Sequence, residues 1–379
     1  MNFKTTFFLF IFILLFSCKS ETEKIAEKTI SRDAVIDSTI NSFQKKLLTA
    51  QIDSVFSKYH FNGSVAVLKG ENILYQKSEG FQNFKDKSKL DSNSVFAIAS
   101  ISKQFTAVLI LLQEDQAHLN TEDKISKYLK GFEKGGFENI SIKNLLNHTS
   151  GISDSGNGLL SKPGEKFHYS NKGYRLLGEI IEKISGKSYD ENALELFKKV
   201  GMNNSSTANL SQGNHLAGAF LGNSKKLQEI ANMPKRLANK EISVPAGGIL
   251  TTVSDLHLWN TKLYNGQILK PETLKKMTEK SADRNHPVFG KMEYGFGIMM
   301  NNMEPRSYFH SGYVKGAPSL NIYYPETKTS VIILSNIADE AKGKNAIFNP
   351  HKEMKKIADS VQNKVVELRT EMLKPLSSL

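Results

Sequence analysis

Three short groupings in this chain hold side chains able to do chemistry. The first is Ser100-Ile101-Ser102-Lys103, at the start of a strongly apolar stretch. A separation of three residues is one helical turn, so both side chains fall on one face if the segment is helical. A serine hydroxyl is a weak nucleophile until a base takes its proton, and a lysine can be that base only when it is held neutral. The first turn of an apolar helix supplies a low dielectric and unpaired backbone N–H groups. The second grouping is Tyr169-Ser170-Asn171. A phenol can shuttle protons where ammonium groups favour its anion, and the amide of Asn171 can donate to a substrate carbonyl while accepting from Lys103. The third is His310-Ser311-Gly312, at the end of a predicted strand. Glycine there lets a substrate backbone approach closely, and a free strand edge can pair with a peptide-like substrate. A second S-x-x-K, Ser42 to Lys45, falls on the exposed-looking side of a predicted helix and reads as a chance match.

The elements that must position these groups can be read from periodicity. Ile40, Phe43, Leu47, Leu48, Ile52 and Phe56 recur at helical spacing and predict an amphipathic helix over 34–59. GSVAVLKG (63–70) and ILYQKSEG (73–80) predict two strands joined at Gly70-Glu71-Asn72. SKQFTAVLILLQ (102–113) is too apolar for a surface helix and predicts a buried one. Leu176, Leu177, Ile180, Ile181 and Ile184 give one apolar face to a helix over 171–186, closed by Gly186. Segments 295–301, 306–310, 319–324 and 330–336 predict an antiparallel meander, with turns at Glu304-Pro305 and Pro325-Glu326. A last amphipathic helix is predicted over 351–366. The fold class is therefore α/β (α+β): an antiparallel sheet flanked by terminal helices, built from 34–100 and 241–379. A mainly helical region, 101–240, is inserted, and the cleft between the two parts is the expected ligand site.

The three groupings, in this order and at these separations, resemble the serine β-lactamase and penicillin-binding superfamily. More narrowly they resemble the branch of class C β-lactamases, serine D-alanyl-D-alanine peptidases and related esterases. FAIASISKQFTA (96–107), LLNHTSG (145–151), FHYSNKGYRLLG (167–178), PAGGILTTVSDLHLW (245–259) and YGFG (294–297) carry the same resemblance, which covers about residues 34–366. It implies a β-lactamase/transpeptidase-like fold and a serine hydrolase, with Ser100 attacking a carbonyl to form an acyl-enzyme. Lys103 and Tyr169 would relay the proton, and Asn171, His310, Ser311 and Gly312 would bind substrate. The backbone N–H groups of Ser100 and Tyr313 would form the oxyanion hole. The substrate would be an amide or ester in the cell envelope, either a D-Ala-type peptide or a small acyl ester. The alternative is a non-catalytic penicillin-binding or peptide-sensing lipoprotein on the same fold. His310 stands where class C β-lactamases carry a lysine, and a neutral imidazole attracts a carboxylate less than an ammonium does. Weak or absent β-lactamase activity follows, unless nearby Lys315 restores the charge. The resemblance also makes His148 structural, at the border of the cleft, and puts the walls that choose substrate near 212–242 and 280–293. Asp255 is expected to cap a helix starting near Ser254.

The rest of the sequence bounds the setting. Met1 to Lys4 is basic, and Phe7 to Phe16 is an unbroken apolar run followed by Ser17 and Cys18. That is the layout of a signal peptide over 1–17, too short to span a bilayer, which takes about 20 residues. Leu15-Phe16-Ser17-Cys18 resembles a lipobox, implying cleavage before Cys18, acylation of its thiol and a tether over 18–33. The expectation is an exported, membrane-anchored bacterial lipoprotein on the periplasmic or cell surface. Cys18 is the only cysteine, so no intramolecular disulfide can form. The formal charge of +12 comes from scattered lysines with no basic stripe interleaved with aromatics, which argues against nucleic-acid binding. No His/Cys/Asp/Glu grouping has metal-ligand spacing and no glycine-rich phosphate loop occurs, so neither metal nor cofactor is expected.

Overall fold

The computed structural model describes residues 21–374, apart from 224, 225, 232, 240, 241 and 342. The signal-like segment and Cys18 lie outside the described residues. An eight-stranded antiparallel sheet forms the centre. In chain order its strands are β1 (Gly63–Lys69), β2 (Asn72–Glu79), β3 (Ala282–His286), β4 (Gly290–Tyr294), β5 (Met299–Asn301), β6 (Ser307–Val314), β7 (Ala317–Tyr324) and β8 (Thr329–Ser335). Their spatial order is β3-β4-β5-β6-β7-β8-β1-β2, so the N-terminal hairpin docks on the last strand of the C-terminal meander.

Strand β8 reads TSVIILS because both faces of the sheet are covered. Val331 and Ile333 face helices α1 (Glu21–Tyr59) and α8 (Asn349–Leu373), among Ile40, Leu48, Ile52, Met354 and Val361. Ile332 and Leu334 face the opposite core, built on α2 (Ser102–Asp115), α3 (Ile142–Leu146), α4 (Asn171–Ser185), α5 (Tyr189–Val200), α6 (Val244–Gly247) and α7 (Val253–Tyr264). Helix α1 is longer than its apolar pattern predicts. Residues 21–33, expected as a tether, are helical: Glu, Lys and Ala favour helix, and the segment holds no Gly or Pro to stop it.

The predicted boundaries at 101 and 240 do not separate two cores. The core under the helical region runs without a break from Ile332 and Leu334 of the sheet to Leu177 and Phe197. The region is also not purely helical, because a hairpin of Ala219–Asn223 and Lys226–Ile230 pairs in parallel with Ile337–Ala338. Asp255 does not cap α7. Thr252 does, its Oγ1 accepting from Asp255 N at 3.1 Å, while the Asp255 carboxylate accepts from Asn204 N and Ser205 Oγ at 2.8 and 2.7 Å. Thr252 sits one position before the first helical residue, where a β-region backbone and a short hydroxyl suit a cap.

Candidate active site

Ser100 sits in a single 3-10 turn, Ala99–Ile101, that runs straight into α2. Ala99 has φ +45°, a left-handed conformation costing a non-glycine residue roughly 1–2 kcal/mol. The flanking chain holds that bend in place. Phe96–Ala97 pairs with Leu250–Thr251, Ile98 N donates to Ile249 O at 3.2 Å, and Ile249 N donates to Ser102 Oγ at 3.0 Å. On the sheet side Ser319 Oγ donates to Ile98 O at 3.0 Å. Helix α2 is buried over its first ten residues, and Phe105 stacks on Trp259 with ring centroids 3.9 Å apart.

Lys103 is fully buried on the first turn of α2. Its Nζ lies 2.8 Å from Asn171 Oδ1, 2.7 Å from Ala246 O and 3.4 Å from Ser100 Oγ. The first two oxygens can only accept. A neutral amine has two N–H bonds to give them, and its lone pair then faces the Ser100 hydroxyl. Burial lowers the Lys103 pKa from the usual lysine value, with neighbouring Tyr169 opposing the shift. Burial therefore favours an unprotonated Nζ, which in this geometry is aimed at Ser100.

Asn171 opens α4, whose N-cap is Ser170, with Oγ accepting from Gly173 N at 3.0 Å. The carboxylate of Asp154 clasps this helix start. It accepts from Ser170 Oγ at 2.7 Å and from Asn171 N and Lys172 N at 2.9 Å each. An acidic group at a helix N-terminus is favourable electrostatically as well as by hydrogen bonding. Tyr169 precedes the cap. Its ring lies 4.3 Å from the ring of His148 and 4.8 Å from Lys103 Nζ, centroid distances, and its hydroxyl is buried with no hydrogen-bond partner among the described residues. His148 is buried, and its Nδ1 accepts from Ser170 N at 3.1 Å, so it supports the Tyr169 segment from beneath.

His310-Ser311-Gly312 is not at the end of its strand, because β6 continues to Val314. What ends is the neighbour: β5 pairs only with Ser307–Phe309, and no strand among the described residues continues along that edge of β6 past Phe309. His310 is buried. Nδ1 lies 2.6 Å from Ser311 O, an acceptor, so Nδ1 carries the proton and Nε2 accepts from Tyr294 OH at 3.1 Å. Burial, then the charges of Arg284 and Lys103, push its pKa well below the usual histidine value. His310 is thus a neutral ring with both nitrogens engaged inside the protein. Ser311 Oγ lies 3.4 Å from His286 Nε2. His286 Nδ1 already accepts from Val288 N and Phe289 N, so Nε2 donates and the Ser311 proton is free to donate elsewhere.

Gly312 is required for a different reason from the one its sequence suggests. A Cβ there would lie 2.0 Å from Ile98 O and 2.5 Å from Ser319 Oγ. The missing side chain makes room for the backbone leading into Ser100, not for a substrate. Tyr313 turns its hydroxyl away, to Glu340 at 2.5 Å, leaving its backbone as its contribution to the cleft. Lys315 is exposed in the turn between β6 and β7. Sequence reading missed four participants: Ala246 O, Asp154, Tyr294 and Arg284. The guanidinium of Arg284 reaches from β3 to lie 4.6 Å from the centroid of the Tyr169 ring.

The beta-lactamase family model matches residues 45–349. Penicillin-binding protein 4* of Bacillus subtilis (strain 168) is 29% identical over 344 residues, which are 80% of this chain and 74% of that protein. Protein flp of Staphylococcus aureus (strain MRSA252) is 28% identical, the match covering 76% of this chain but only 63% of flp. Among solved structures, the octameric penicillin-binding protein homologue from Pyrococcus abyssi superposes with a TM-score of 0.67 at 25% identity, covering 76% of this chain and 72% of that one.

Proposed function

Because this chain belongs to the beta-lactamase family, we propose that it is a serine hydrolase that forms an acyl-enzyme on Ser100. One observation carries the reading: Lys103 Nζ is buried, is tied by two acceptor-only oxygens, and faces Ser100 Oγ at 3.4 Å. In the first step the Ser100 O–H proton passes to Lys103 and Oγ attacks the substrate carbonyl carbon. The oxyanion accepts hydrogen bonds from the N–H groups of Ser100 and Tyr313, where loss of one donor typically costs about 3–4 kcal/mol of transition-state stabilisation. The proton passes through Lys103 and Tyr169 to the leaving amine or alcohol as its bond to carbonyl carbon breaks. Water then attacks the ester on Ser100, giving its proton back along the same relay and releasing the acid.

The substrate class is an amide or ester, either a D-Ala-type peptide or a small acyl ester of the cell envelope. β-Lactam hydrolysis is expected to be weak or absent. His310 is neutral with both nitrogens occupied, so the third motif offers no cation to a drug carboxylate. The test is turnover of p-nitrophenyl acyl esters, a D-Ala-D-Ala peptide and a chromogenic cephalosporin by wild type and Ser100→Ala. Ester or peptide turnover lost in Ser100→Ala supports the reading. A wild type silent on every substrate moves the assignment to the non-catalytic binding protein, and a variant as active as wild type removes Ser100 as the nucleophile.

The lipobox-like LFSC ending at Cys18 supports export and anchoring through a lipid on that thiol. Two or more acyl chains hold a protein firmly on a bilayer where one holds marginally. Among the described residues no helix is long and apolar enough to cross a membrane. Cys18→Ser is therefore expected to move the protein from the membrane fraction to the soluble fraction. Persistent membrane association of that variant would contradict the anchor.

A further inference from the structure

Arg284 has no ordinary structural partner. It lies on β3, the edge strand of the sheet, facing the cleft. Its Cζ is 4.6 Å from the centroid of the Tyr169 ring and 5.6 Å from those of Phe167 and Tyr294. Its Nη1 is buried without a hydrogen-bond partner, and it makes no ion pair among the described residues. The nearest carboxylates on its own hairpin, Asp283 and Glu293, pair with Lys280 instead. An unpaired guanidinium over aromatic faces gains cation–π attraction, but the missing carboxylate leaves its positive field uncancelled within the site.

From this placement we infer that Arg284 is the electrostatic positioning residue of the site, its fixed charge across the Tyr169 ring favouring the neutral amine of Lys103 as proton acceptor. The inference rests on Lys103 and Tyr169 being the proton carriers. A guanidinium is always charged, so its field acts at every working pH. It disfavours the ammonium form of Lys103, adding to the larger effect of burial, and so lowers the pH at which the base is ready. The other groups facing the relay do not do this. His310 on β6 and His148 after α3 are buried and neutral. Tyr174 on α4 and Tyr294 on β4 are buried phenols held protonated. Asp154, before α4, acts on Lys103 in the opposite sense. Among the described residues facing the relay the remaining fixed positive charge is that of Arg284, which adds to burial in lowering the proton affinity of Lys103, His148 and His310. A neutral histidine thus occupies the third motif, while the permanent charge comes from a strand elsewhere in the chain.

The experiment compares wild type, Arg284→Met, which keeps an apolar stem over the rings, and Arg284→Lys, which keeps a charge. Arg284→Gln takes the place of the methionine variant if that one does not fold. The acid limb of the kcat/KM profile with a p-nitrophenyl ester is expected to move to higher pH by about one unit in Arg284→Met. It should return to within a few tenths of a unit in Arg284→Lys, with melting temperatures unchanged. A purely structural role would lower stability and leave the limb in place. A second readout needs no turnover: NMR titration of the Lys103 13Cε resonance, assigned with Lys103→Met. Its midpoint should rise in Arg284→Met. If it stays within a few tenths of wild type the inference is overturned, whether or not the esterase assay shows activity. Loss of the hydrolase reading alone would appear instead as wild-type turnover that survives Ser100→Ala.

Discussion

Lys103→Met is expected to slow acylation of Ser100 by about a thousandfold, within the range general-base removal produces, while the protein still folds. The side chain it replaces is fully buried, so the new thioether enters an already enclosed space of similar length. Asn171 Oδ1 and Ala246 O each lose a donor, at about 1–3 kcal/mol per group left unpaired. Against that, removing a buried ionisable group relieves desolvation. Thermal melting should therefore show a folded protein, and stopped-flow acylation should show the loss. Lys103→Arg sharpens the point. It places a permanent cation beside Ser100, one that cannot accept a proton. If Lys103→Arg acylates at the wild-type rate, no proton acceptor is needed at residue 103, and the base assignment falls.

Gly312→Ala is the second large effect, and it acts at a distance from the substrate. The added methyl would meet Ile98 O at 2.0 Å and Ser319 Oγ at 2.5 Å. The one proton of Ser319 Oγ, 3.0 Å from Ile98 O and 3.3 Å from Gly312 O, is shared between them, so one contact disturbs the bridge between β6 and the chain entering the nucleophile turn. Overpacking of this kind costs about 1–3 kcal/mol. A displacement of Ser100 by about 1 Å is enough for a hundredfold loss of rate. The expected result is a lower melting temperature together with kcat/KM reduced by about two orders of magnitude. Wild-type kcat/KM in this variant would show that β6 and the nucleophile turn are not mechanically coupled.

The parts of the site legible in the sequence were those in which chemistry and local structure share a short segment. Ser100 and Lys103 lie one helical turn apart, and Ser170-Asn171 opens a helix whose apolar face and closing Gly186 were plain. The sheet was legible because β8 and β1 carry the central apolar runs VIIL and VAVL and the turns between β6, β7 and β8 carry Gly or Pro. Ala246 contributes a backbone carbonyl, which no side-chain pattern reveals. Arg284 stands 115 positions after Tyr169 and belongs to no motif; only the fold of the edge hairpin brings them together. The cleft wall over 280–293 was anticipated as a region, but not which of its residues matters. Gly312 was found for the wrong reason, because the direction of a missing Cβ is a property of the sheet and not of the tripeptide. Asp255 was misassigned for a similar cause. Thr252 already serves the helix end, and the carboxylate is recruited by a loop 50 residues upstream that the local sequence does not show.

The most direct test of Ser100 as an acylated nucleophile is intact-protein mass after incubation with a penicillin or a p-nitrophenyl ester and rapid acid quench. Wild type should gain the mass of one acyl group, mapped by peptide digestion to the fragment holding Ser100. Ser100→Ala should gain none. An adduct of equal extent on Ser100→Ala, or a mapped acyl group on any other residue, would contradict the account.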